Sequence, residues 1–201
     1  MAISLVTVGG KITAAIQNAI IGQVNAQGMT GVVPTSVAGT GVTVGVSGKV
    51  TFSGSATISV NGCFTGTYDN YRIVLVVATG SGAAAINFNV RSVGTDLTTG
   101  TYLAAVQQFS SATPTYTYST TATTVSVSRT NGAAQASGTV LEVLSPYLAQ
   151  YTTINSNGND GTVSNAAWGA ARNTTSYDGF TISTGAVTLN GTLRIYGYNN
   201  N

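Results

Sequence analysis

Histidine is absent from the 201-residue chain. Its absence removes Ser-His-Asp and Cys-His catalytic arrangements and the commonest zinc ligand. Cysteine occurs once, at Cys63, so neither an intrachain disulfide nor a cysteine metal cluster can form. The neighbours Val60 and Phe64 are apolar, which predicts a small buried hydrophobe at Cys63 rather than a reactive thiol. Charge is scarce: charged residues make up 6% of the chain, against about 25% in an ordinary globular protein. Lys and Arg number 7, are scattered singly, and leave a net charge of +2. No basic cluster exists to grip a phosphate backbone, so nucleic acid is not an expected partner. No apolar run reaches the roughly 18 residues of a membrane span. The first ten residues lack the basic n-region and long apolar core of an export signal.

Threonine (33 residues), serine (19) and glycine (25) stand where charge is missing. A chain this rich in Thr, Val, Tyr and Gly reads as β-structure with many turns. Its length suits one ordinary domain plus an extension, with a sizeable core. Low surface charge weakens the solubility of a free monomer. That suits a protein packed into an assembly, and equally a polar uncharged extracellular surface.

The N-terminal stretch predicts three zones. Residues 1–28 read as an arm followed by an amphipathic helix over about 11–27. Ile12, Ile16, Ile20 and Val24 fall four residues apart on one side, and Gly28 is a suitable C′ residue. A helix of about four turns is marginal alone, so its apolar stripe needs a partner. Another copy of the helix, a neighbouring protein and the chain's own β-domain are the three candidates. Asn18 and Asn25 beside the stripe are the kind of polar residue that sets register in a helical seam. Residues 29–52, with no charge before Lys49, read as an extended connector entering a β-hairpin. Val42, Val44 and Val46 alternate there, Ser47-Gly48 is the turn, and residues 49–52 return. Residues 53–201 form the main domain.

Within that domain, short strands recur at intervals of about ten residues: 57–61, 71–78, 85–93, 103–109, 115–119, 124–128, 138–144, 151–155, 162–171, 179–183 and 191–198. Turn residues separate most of them, among them Gly80-Ser81-Gly82, Asn131-Gly132 and Asn190-Gly191. The fold expected is mainly β, an antiparallel, jelly-roll-like β-sandwich. The run from Arg72 to Val77 is continuously apolar after its first residue, which predicts a central strand covered on both faces.

The candidate chemistry is thin. Five acids exist, and nothing in the sequence pairs any two, which disfavours a glycosidase. Asp69, Asp96 and Asp178 lie beside turn residues, and Glu142 reads as a solvent-facing strand position. The stretch Asn155 to Gly161 departs from a calcium loop, with Asp160 at the glycine position and Ala166 at the glutamate position, and reads as a polar hairpin loop. The glycine-rich runs lack the Lys-Thr/Ser and helix of a phosphate loop. No cofactor and no metal site are expected. Aromatic residues remain: Tyr116 and Tyr118 on one strand face, Tyr196 and Tyr198 on another, and Trp168, the single tryptophan. Exposed, these rings would stack on sugar rings or anchor a protein interface; otherwise they pack in the core or between subunits.

The junction around Val33-Pro34-Thr35-Ser36-Val37, the hairpin at residues 48–52, and Asn61-Gly62-Cys63-Phe64 followed by Tyr68-Asp69-Asn70-Tyr71 resemble virion proteins of tailed bacteriophages infecting actinobacteria. The C-terminal run from Gly191 to Tyr198 is similar to the same proteins, whereas about 94–137 matches none. The resemblance implies a minor tail, fibre or head-surface (capsid decoration) protein, often a homotrimer, without active-site residues. The expectation is therefore a non-enzymatic virion structural protein, made in the host cytoplasm and displayed on the particle. Its partners would be copies of itself, other virion proteins and, in an overlapping reading as a host-recognition module, a surface glycan.

Overall fold

The computed structural model describes residues 28–110, 113–132 and 136–199. The expected N-terminal helix, with Ile12, Ile16, Ile20 and Val24, lies outside the described residues. What is described is β-structure, joined throughout by antiparallel pairing. The strands in chain order begin with β1 (Met29–Val32), β2 (Ser36–Ala38), β3 (Val42–Val44), β4 (Val50–Ser55) and β5 (Thr57–Asn61). They continue with β6 (Asn70–Gly80), β7 (Ala83–Ser92), β8 (Thr95–Asp96), β9 (Tyr102–Ser110), β10 (Thr113–Ala122) and β11 (Val125–Asn131). The last are β12 (Ser137–Leu144), β13 (Thr152–Asn159), β14 (Val163–Ala171), β15 (Gly179–Ser183) and β16 (Leu189–Tyr198).

Two sheets result. The ten-stranded sheet runs β10-β9-β14-β13-β12-β6-β16-β4-β3, with β1 added on β16. The six-stranded sheet runs β11-β7-β15-β5-β2, with β8 added on β7. Period-two alternation drives the packing, because successive side chains point to opposite faces of a strand. Ile73 and Leu75 of β6, Leu141 and Val143 of β12, and Leu193 and Ile195 of β16 are buried on the inner face. Ile58 and Val60 of β5, Phe88 and Val90 of β7, and Phe180 and Ile182 of β15 belong to the same core from the other sheet. Each such side chain contributes about 1.5–3 kcal/mol by leaving water. Phe88 stacks on Phe180 at 5.4 Å between centroids, and Phe64 tilts against Tyr71 at 4.8 Å. Cys63 is buried in this cluster, and that burial pushes its thiol well above the ordinary range, so it stays protonated and inert.

Residues 29–52 do more than connect. β1 pairs with β16 in one sheet and β2 with β5 in the other, so the segment ties the two layers together. β3 and β4 form the expected hairpin, Val42 opposite Phe52 and Val44 opposite Val50. Its turn needs Gly48 at φ 74°, where a side chain would be strained and would also meet the backbone of Val32.

Candidate functional site

The outer face of the ten-stranded sheet has no covering layer within the described residues. Along β6 it presents Arg72, Val74 and Val76, while Tyr71, Ile73, Leu75 and Val77 are buried. The expectation that the 72–77 run is covered on both faces is thus corrected. β6 is central in its sheet, but only one face is packed, and Val76 is 42% exposed.

Strand register sets what stands beside what on this face. One row crosses seven strands as Tyr118, Ala105, Trp168, Asn155, Glu142, Arg72 and Tyr196. At about 4.8 Å per strand the row is roughly 29 Å long. The next row reads Tyr116, Gln107, Ala166, Asn157, Val140, Val74 and Arg194. The rings at positions 116, 118, 168 and 196, chosen from separate stretches of sequence, therefore share one face of one sheet. Tyr198, two residues beyond Tyr196 on β16, lies on it too.

The two ends of this face differ. At the β10–β14 end, Tyr116 is 66% exposed, Tyr118 55% and Trp168 46%. Ala105, on β9 between Tyr118 and the indole, and Ala166, two residues from Trp168 on β14, have small side chains that leave a low floor beside the rings. Gln107, Asn155 and Asn157 flank that floor with carboxamides, which both donate and accept. No Asp, Glu, Lys or Arg faces outward from β10, β9, β14 or β13.

A third row continues the surface through Phe109, Ser164, Asn159, Gly138 and Val76. Gly138, Asn157, Gly158, Asn159, Ser164 and Asn165 line an open depression of about 370 Å³. A Cβ on Gly138 would meet nothing within 4 Å, so the glycine is what leaves the space open. Asn165 is 4% exposed, and neither of its amide atoms has a hydrogen-bond partner.

The other end is tied down. Arg72 pairs with Glu142 across β6 and β12, its Nε donating at 2.6 Å. Tyr198 Oη donates to the second Glu142 oxygen at 2.5 Å, and the Arg72 guanidinium lies 5.8 Å from the Tyr198 ring centroid. The Glu142 hydrogen bond raises the Arg72 pKa. Burial, then the bond to Glu142, raises that of the Tyr198 phenol. Tyr196 and Tyr198 are only half exposed. Glu142, expected to be a plain solvent-facing position, is the acceptor that organises this cluster.

The stretch expected as a polar loop from Asn155 is strand through Asn159, and the turn comes later. Asp160 closes it: Oδ1 accepts from the Thr162 N–H at 2.9 Å, the Thr162 hydroxyl at 2.8 Å and the Val163 N–H at 2.7 Å. Burial of Asp160 works against its charge, but these donors outweigh burial and hold its pKa below the ordinary value. Continuing the strand is what aligns Asn155, Asn157 and Asn159 on one face. Their period of two was the readable signal, along with Gln107 in the alternation of β9.

No protein-family model matches the sequence, and no curated protein matches it. Among solved structures, similarity extends to a peanut lectin with a 9mer peptide, at 9% identity and a TM-score of 0.37, covering 84% of this chain and 96% of that one. The seed lectin of Lotus tetragonolobus is similar at 8% identity and a TM-score of 0.39, with the same 84% and 96% coverage. Stonustoxin is similar at 11% identity and a TM-score of 0.32, over 84% of this chain and 27% of the toxin. Likeness at this level transfers no residue and no ligand.

Proposed function

We propose that the chain is a non-enzymatic virion structural protein whose β-sandwich, displayed on a phage particle, recognises a neutral glycan through the aromatic, carboxamide-lined end of its broad sheet. One observation carries the recognition reading: exposed Tyr116, Tyr118 and Trp168 stand around an alanine floor beside Gln107, Asn155 and Asn157. Sugar rings offer C–H faces that stack on aromatic rings, and hydroxyls that require donors and acceptors together. Tyrosine, tryptophan and carboxamides supply both. The four strands at this end turn no charged side chain outward, and Arg172, just past β14, is held on the Thr101 and Thr120 carbonyls, which favours a neutral polymer over an acidic one. An open face suits a chain laid across it better than a small molecule enclosed in a cleft.

Placement on the particle is supported by the sequence resemblance and by the sparse surface charge, which fits a protein held in an assembly. A tail or fibre position presents the sandwich outward; a capsid decoration position is the alternative. Antibody labelling of intact particles distinguishes them. The recognition reading is tested by calorimetric titration of the full chain with neutral and acidic polysaccharides from host envelopes. Saturable binding of a neutral polymer, weakened in Trp168→Ala, is expected. Binding that is equal in Trp168→Ala, or restricted to acidic polymers, would overturn it.

A further inference from the structure

Among the described residues, no strand pairs with the free edge of β10, where the ten-stranded sheet ends. β10 is ten residues long, whereas the opposite edge strand β3 and the edge β2 have three each. β11, the last strand of the smaller sheet, packs under β13, β14 and β9. β10 projects past that support, and residues 113–118 are exposed on both faces. Natural edges are usually blunted by lysine, proline, bulges or shortness. β10 carries no charge; Pro114 stands near one end and a register irregularity between Ser119 and Ala122 near the other. Residues 115–119 between them pair with β9 in unbroken register and are uncharged.

This stretch is also self-complementary. Thr115-Tyr116-Thr117-Tyr118-Ser119 reads alike in both directions, with serine for threonine at one end. We propose that β10 pairs antiparallel with β10 of a second copy, across a twofold axis at Thr117, to continue the sheet through both subunits. Tyr116 then lies opposite Tyr118 of the partner subunit, and Thr115 opposite Ser119 of the partner subunit. Aromatic pairs and Thr–Ser pairs are favourable cross-strand neighbours. The backbone agrees. Alternate residues of a strand aim N–H and C=O at alternate sides, and Pro114 has no N–H to give to β9. Tyr116 and Tyr118 share its parity, so their backbone groups face the free edge and exchange hydrogen bonds with the partner. The two Thr117 residues form the non-hydrogen-bonded pair, with Cα atoms about 4.5 Å apart. The pairing does not depend on the glycan reading, although it would bring two aromatic ends into one continuous surface.

The register is tested by cysteine cross-linking of the full chain. Cys63 is buried and stays silent. Thr117→Cys is expected to form a covalent dimer on mild oxidation. Thr115→Cys alone should not, since its partner position is 119, whereas oxidising Thr115→Cys mixed with Ser119→Cys should. Thr115 and Thr117 are exposed, and at half-buried Ser119 cysteine replaces serine almost isosterically, so folding survives the changes. Thr117→Lys and Thr117→Glu should each raise the dimer dissociation constant by about tenfold or more in sedimentation, and mixing them should restore association. Cross-linking of Thr117→Cys no faster than of Thr115→Cys would overturn the proposal. So would a dimer that ignores both charged variants.

Discussion

The two ends of the outer sheet face are built from the same residue types and arrive at opposite states. At the β16 end, Tyr198 spends its hydroxyl on Glu142 and its ring on Arg72. At the β10 end, Tyr116, Tyr118 and Trp168 project beyond small neighbours and stay exposed. An aromatic residue on a strand surface is thus either part of the fold's own polar network or available to something else. The presence of a charged partner in the adjacent strand decides which. Position in the row matters more than exposure of the strand: Tyr118, Trp168 and Tyr196 share a row, yet only the first two lack an ion pair beside them.

The sharpest way to separate the ends is to break each and read stability and binding together. Glu142→Ala leaves a half-buried guanidinium unpaired and the Tyr198 hydroxyl without its acceptor. Denaturant unfolding should lose about 1–2 kcal/mol, the lower part of the range for such losses because the pair is partly solvated. Polysaccharide binding should stay within about twofold. Trp168→Ala should show the reverse. Loss of one stacked ring should weaken binding by about tenfold, roughly 1.4 kcal/mol, with unfolding changed by less than about 0.5 kcal/mol. Should Glu142→Ala weaken binding as strongly as Trp168→Ala, the face acts as one unit and the contrast fails.

The turn that aligns the asparagines supplies a pH signature. The Asp160 carboxyl has a lower pKa folded than unfolded. Its stabilisation is complete above the unfolded value of about 3.9 and is lost as pH falls through the lower folded value. Asp160→Asn should flatten this acid limb of a stability–pH curve and lower stability at neutral pH by about 1 kcal/mol. A limb unchanged in the variant would assign the acid response elsewhere. The smallest effect is expected at Gly138. Gly138→Ile grows into the depression from a Cβ that would meet nothing within 4 Å. It should leave stability within a few tenths of a kcal/mol, or raise it, since isoleucine suits a strand better than glycine. Any loss of binding in that variant then measures how far the ligand extends past the two aromatic rows.

Much of the fold could be read from residue alternation. The strands at 57–61 and 179–183 coincide with β5 and β15, because apolar alternation there ends abruptly at turn residues. Three features escaped. The Asn155–Asn159 segment looked like a loop because asparagine and glycine favour turns, yet pairing on both sides held it in the sheet. The apolar run of β6 implied two covered faces, whereas on its outer face Val76 is exposed and Val74 half-buried. Residues 29–52 looked like a connector because glycine dilutes the pattern, but partners more than a hundred residues away, on β16, recruit β1 and β4 into the sheet. Of the candidate rings, sequence could place each pair on a strand face. It could not bring Tyr118 and Trp168 into one row, because that depends on the order β10-β9-β14, a non-local property.

Trp168 is the only tryptophan, so fluorescence excited beyond the absorption of the 10 tyrosines reports on the proposed recognition face alone. Titrating the full chain with the neutral polysaccharide it binds should shift and saturate the indole emission with the same midpoint as calorimetry. Binding that leaves the emission of Trp168 unchanged would place the ligand elsewhere and contradict the central claim.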